Sequence, residues 1–195
     1  MRKEFQSSFN RFLLFFTNAC LILLTLFLLV SEIGEEQPSI QANIVKVNGT
    51  MDTLQTFPNA NVLGPGKIDI TAMSPKLKYL APRPGIDPMY ALLFFISSII
   101  VVAFFWDFTY KKPFTRKALL GLQIAFAVLL VFFIANFFRY DWFDEQVKLF
   151  TNGQFSYNKP FPLASPEFWI LLVLIRLIRI FKKGLGLQKD IDLTV

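Results

Sequence analysis

Histidine is absent from the 195 residues and cysteine occurs once. The first absence removes the imidazole as metal ligand, general base or haem axial ligand. The second removes any intramolecular disulfide. No Ser/His/Asp set can form, no ligand cluster has metal-binding spacing, and no glycine-rich loop is placed to cradle a phosphate. The long apolar runs hold no acidic residue, which argues against a proton or cation relay. A chain without catalytic machinery, cofactor or metal is expected. Cys20 sits in Thr17-Asn18-Ala19-Cys20, but the apolar run follows it where a lipoprotein site would have one before it. It reads as a buried apolar thiol.

What is present is clustered hydrophobicity. Apolar residues make up 54% of the chain, mean hydropathy is +0.48, and Phe alone occurs 24 times. The apolar residues lie in bilayer-length runs. The net charge of +6 does not gather into one soluble basic domain with exposed aromatics, so no direct nucleic-acid contact is expected. Lys and Arg instead flank the runs, where topology and anionic headgroups explain them.

The first run, Phe12 to Val30, spans roughly 28 Å as a helix and exceeds the h-region of a signal peptide, with no small-x-small site after it. Tyr90 to Trp106 and Ala118 to Phe138 form the second and third, Thr115 being placed to cap the latter. The fourth, Phe168 to Phe181, needs extension to 166–183 to cross a thin bilayer or follow a tilted path.

Arg2, Lys3 and Arg11 precede the first run, Lys111, Lys112, Arg116 and Lys117 separate the second and third, and Arg176, Arg179, Lys182, Lys183 and Lys189 close the chain. This density puts both termini in the cytoplasm. The predicted fold is an all-α transmembrane four-helix bundle with a small extracytoplasmic β-rich loop between helices 1 and 2. Residues 1–30 hold the N-terminal segment and first span, 31–88 the outer loop, and 89–195 the other three spans.

In the outer loop, 41–47 and 50–57 are β-prone and flank Asn48-Gly49, a hairpin signal because a type I′ turn needs two residues tolerant of positive φ. Asn48-Gly49-Thr50 also matches a glycosylation acceptor; the turn accounts for it. Residues 67–73 alternate after Gly64-Pro65-Gly66, which predicts a three-stranded antiparallel unit. Residues 141–150 place Trp142, Phe143, Leu149 and Phe150 near one face and predict an interfacial helix. Asp141, Asp144 and Glu145 read as its solvated face.

The arginines of the last run are the sharpest feature. A charge near the bilayer centre costs at least about 2.5 to 3.5 kcal/mol on insertion scales unless it snorkels, pairs or meets water. Positions 176, 179 and 183 share a helix face. Arg176, Arg179, Lys182 and Lys183 are therefore candidates to hold a lipid headgroup or protein carboxylate. Ordinary positive-inside anchoring accounts for the same pattern, with Asp107 as a structural partner. Asn18, Thr25, Ser97, Ser98, Gln123 and Asn136 lie inside spans and read as interhelical hydrogen bonding. Gly121 and Ala125 form a small-xxx-small pair open to close helix contact.

Two segments carry a family resemblance. Lys112-Pro113-Phe114-Thr115 with the helix after it, and the ending Ile180-Phe181-Lys182-Lys183-Gly184-Leu185-Gly186-Leu187-Gln188-Lys189-Asp190-Ile191-Asp192-Leu193-Thr194-Val195, resemble a bacterial family of small four-span membrane proteins, domain of unknown function 2975. The likeness is specific over the ending and loose over the rest of 105–195. Where that family usually has Glu before the terminal Asp-Leu, this chain has Lys189-Asp190-Ile191. The resemblance implies a bacterial cytoplasmic membrane and no enzyme activity. Members are often encoded beside a small helix-turn-helix regulator, which implies a membrane partner for a transcription factor. The expected role is a non-enzymatic accessory or signalling protein docking a cytoplasmic partner. The alternatives are a structural subunit of a larger membrane complex and, third, a transporter or channel.

Overall fold

The computed structural model describes residues 2–34, 39–47, 56–64, 66–71, 74–83, 87–105 and 114–194. It is mostly helical with one small antiparallel sheet. The Asn48-Gly49 turn and the candidate Asp107 lie outside the described residues. The chain divides into two compact units. One comprises Met1–Leu29, Leu92–Val131 and Pro166–Val195; the other comprises Val30–Ala91 and Phe132–Ser165.

The first unit draws on α1 (Arg2–Gly34), α3 (Pro88–Phe105), α4 (Arg116–Phe150) and α5 (Pro166–Thr194). Among the described residues two helices are long and apolar enough to cross a membrane, Phe16–Gly34 and Arg116–Phe150, while Pro88–Phe104 is a shorter apolar helix. On α1, Leu23, Leu24, Phe27 and Val30 are each about 60 to 70% exposed. Cys20 is exposed on the same helix, where a buried thiol was expected. Thr25 turns inward instead, and its hydroxyl lies 2.9 Å from that of Ser98 on α3, the interhelical bond expected of such residues.

The second unit is a five-stranded antiparallel sheet in the order β2-β3-β4-β1-β5. Its strands are β1 (Ile40–Lys46), β2 (Thr56–Phe57), β3 (Ala60–Gly64), β4 (Lys67–Ile70) and β5 (Phe155–Tyr157). Alternation decides its buried face, since successive side chains point to opposite sides. Ile40, Ala42 and Ile44 on β1, Ala60 and Val62 on β3 and Ile68 and Ile70 on β4 form a core with Phe155, Phe143 and Val147. A short helix α2 (Pro75–Leu80), capped by Ser74 whose Oγ accepts from the Leu77 N–H at 3.2 Å, adds Leu77.

Three expectations change here. The 41–47 stretch has β4 on one edge and β5 on the other, and Thr56–Phe57, the described part of the 50–57 stretch, pairs with Ala60 and Asn61 instead; residues 50–55 lie outside the described residues. Among the described residues the sheet has five strands where three were expected, the fifth coming from 155–157, outside the 31–88 segment. Residues 141–150 are no separate interfacial helix but the end of α4, because no Gly or Pro interrupts the chain between Leu122 and Thr151. At 35 residues this helix is about 52 Å long, well beyond a hydrocarbon core of about 30 Å. Its apolar part ends at Phe138, and its last turns place Phe143 and Val147 in the sheet core with 0% exposure.

The helix stops at a left-handed pair. Asn152 (φ 50°) and Gly153 (φ 76°) reverse the chain, and the Gly153 N–H donates to Lys148 O at 2.8 Å. This is the six-to-one bond of a Schellman ending, and it delivers β5 to the edge of β1.

Candidate functional site

Four positions of the sequence-derived site lie on α5, and all four, Arg176, Arg179, Lys182 and Lys183, are exposed. Arg176 and Arg179 border a shallow apolar face formed with Trp169, Leu172, Val173, Ile175 and Leu177. The helix extends well past the 166–183 span, to Thr194.

The two segments quoted for the family resemblance meet. The Phe114 ring stands edge-on to Phe181 with centroids 5.3 Å apart. It also lies over Gly184, where an added Cβ would come within 2.6 Å of the ring. Thr115 caps α4 as the sequence predicts, its Oγ1 accepting from the Ala118 N–H at 3.1 Å. Arg116 and Lys117, both exposed, follow directly. One contact thus brings the start of α4, with two cations, to the part of α5 that carries Lys182 and Lys183.

In the sheet unit, Arg139 is buried and ion-paired with Asp87. Its Nε donates to Leu80 O at 2.6 Å, Nη1 to Asn136 Oδ1 at 3.0 Å and Nη2 to Ala81 O at 3.2 Å. Asp87 Oδ1 accepts from the Met89 and Tyr90 N–H groups at 3.0 Å each, which caps α3. Neither buried charge is left without hydrogen bonds, as burial of a charge requires. Asn136, read from sequence as a span residue bonding between helices, is a ligand of this guanidinium. The signal for the pair was a lone Arg at the end of an apolar run, but nothing local to it names Asp87 as its partner.

Asp144 departs from the solvated face expected for it. It is buried, and Oδ1 accepts from Ser156 Oγ at 2.6 Å and from the Tyr157 N–H at 2.8 Å. Lys148 and Lys159 pair with its Oδ2 at 2.9 and 3.3 Å. Burial opposes its ionisation, but the bonds from Ser156, Lys148, the Tyr157 N–H and Lys159 outweigh it and hold the carboxyl at about 2. Asp141 and Glu145 do stay half-buried to exposed, each with a lysine.

A cleft of about 230 Å³ opens where β5 stops. β5 pairs with Ile44, Val45 and Lys46, the Asn158 N–H after it donates to Asn43 O at 2.9 Å, and Pro82 and Arg83 line the cleft beyond. Gln41, Ala42, Asn43, Lys67 and Tyr157 complete the lining. None of these residues was marked by sequence pattern, because the strand alternation that identified the core assigns its polar positions only to an outer face. Among the described residues no group of His, Cys, Asp or Glu is arranged to hold a metal ion. No protein-family model, curated protein or solved structure matches the chain.

Proposed function

We propose that this is a non-enzymatic membrane accessory or signalling protein that crosses the bilayer four times, keeps both termini in the cytoplasm, and docks an acidic cytoplasmic protein surface. The observation that carries the docking reading is the contact of Phe114 with Phe181 and Gly184. It assembles Arg116, Lys117, Lys182 and Lys183 at one place from two helices. Such a cluster at a helix end attracts anionic groups and steers their approach. In the four-span reading α3 and α5 join the two helices that qualify by length and apolarity. With 29 residues, α5 is about 43 Å long and outruns the bilayer, so its last turns are available to a partner. Arg176 and Arg179 then serve as contacts for anionic headgroups on the cytoplasmic side. The family resemblance supports a small helix-turn-helix regulator as the kind of partner.

Two measurements test this. A reporter fused after Val195 should read cytoplasmic and one inserted after Asn158 extracytoplasmic; Val195 outside would make α5 an interfacial helix and remove the docking surface. Co-purification from native membranes should then recover a cytoplasmic protein with the full chain and lose it with a chain truncated after Gly184. Equal recovery would take the end of α5 out of the argument.

A further inference from the structure

The cleft in the sheet unit has a chemistry independent of the basic end of α5. Its lining carries two cations, Lys67 and Arg83, and two side-chain amides, Gln41 and Asn43, with no carboxylate among the described lining residues. Asn43 and Lys67 are direct partners across β1 and β4, so an amide and an ammonium start from adjacent backbone positions. Tyr157 adds no negative charge, since burial pushes its phenol up to about 12 and keeps it protonated at neutral pH. The nearest acid by register is Asp69, which pairs with Gln41 and stands two residues from Lys67.

Donor-rich, cation-lined walls suit an acceptor-rich ligand. Hydrogen bonds in which one partner is ionised are about twice as strong as neutral ones, and guanidinium matches planar or tetrahedral oxyanions. The volume falls below the roughly 300 to 1,000 Å³ of drug-sized pockets, which favours a small occupant. Past Asn43, whose carbonyl accepts from the Asn158 N–H at 2.9 Å, no strand among the described residues pairs with this edge of β1, which leaves a way in.

We propose that this cleft binds a small soluble oxyanion, a carboxylate or phosphate group held between Lys67 and Arg83 and oriented by Asn43 and Gln41. Opposite charges at this range attract strongly when partly shielded from water, and added salt weakens the attraction.

Calorimetric titration of the full chain in mild detergent tests it, with inorganic phosphate in one arm, succinate in a second, and chloride at matched ionic strength as control. Saturable binding is expected in at least one of the first two arms, weakening as sodium chloride is raised. Losing a charge-assisted hydrogen bond should weaken binding about tenfold or more in Lys67→Gln. Lys67 is exposed, so this variant keeps the fold; Arg83→Gln should lose at least as much. Arg176→Gln should bind like wild type. Binding of phosphate alone or succinate alone would name the oxyanion. Heats no different from chloride in both arms, or unchanged affinity in Lys67→Gln, would overturn the proposal.

Discussion

Gly184 of α5 lies beneath the ring of Phe114 so closely that a methyl group at position 184 would sit 2.6 Å from its Cγ and Cδ1 atoms. Glycine is weak in a helix interior, costing about 0.5 to 1 kcal/mol against alanine. Here it is retained where the close approach of an aromatic ring demands it.

Gly184→Ala should therefore destabilise the protein although alanine is the better helix former. Overpacking costs typically about 1 to 3 kcal/mol, and thermal unfolding followed by circular dichroism in mild detergent should show a lower midpoint. Adding Phe114→Leu should recover part of the loss. A double variant whose losses simply add would mean that the two residues do not constrain each other.

Arg139 and Arg176 predict opposite behaviour for one residue type. Arg139→Leu leaves Asp87 buried without its charge partner, which costs on the order of 3 to 5 kcal/mol. Arg176→Leu removes an exposed cation and should leave the unfolding midpoint nearly unchanged. Asp87→Asn should fall between, because the amide oxygen can still accept from the Met89 and Tyr90 N–H groups that cap α3. Equal midpoints for the two arginine variants would contradict the buried pair.

Asp144 predicts acid sensitivity with a definite sign. Its folded carboxyl is lowered from 3.8 to about 2, so its contribution is fully present above pH 4 or so and is lost as the pH falls toward 2. The contribution amounts to roughly 2 kcal/mol by linkage. Asp144→Asn should be less stable than wild type at pH 6, and the gap should narrow on acidification through that window. Parallel stability curves from pH 6 to 2 would refute the assignment.

Thr25 and Ser98 should matter little. Their hydroxyl bond is of the kind worth about 0.6 kcal/mol on average within membranes. Thr25 also bonds to the carbonyls of Leu21 and Ile22 on its own helix. Thr25→Val should lower the midpoint slightly, and Ser98→Ala in that background should change it less than Ser98→Ala alone.

Alternation at Ile68 and Ile70, the helix cap at Thr115, and the apolar runs at the heart of α1, α3 and α4 were legible in the sequence because each depends on neighbours within a turn or a strand. The same local reasoning failed at β5. Phe155-Ser156-Tyr157 is too short to show a period, and its one local signal is the Asn152-Gly153 reversal before it.

What the sequence by itself determined is the inventory: a chain without histidine, with one cysteine, with bilayer-length apolar runs and with cations at their ends. These follow from composition and local period, which folding cannot alter. Tertiary structure alone decided the partners. Asp87 with Arg139, Asp144 with Ser156 and Lys159, Phe114 with Gly184, and β1 with β4 and β5 join residues far apart in the chain. A buried charge or a strand edge can be satisfied by any residue of suitable chemistry, so only the folded path of the chain selects which one.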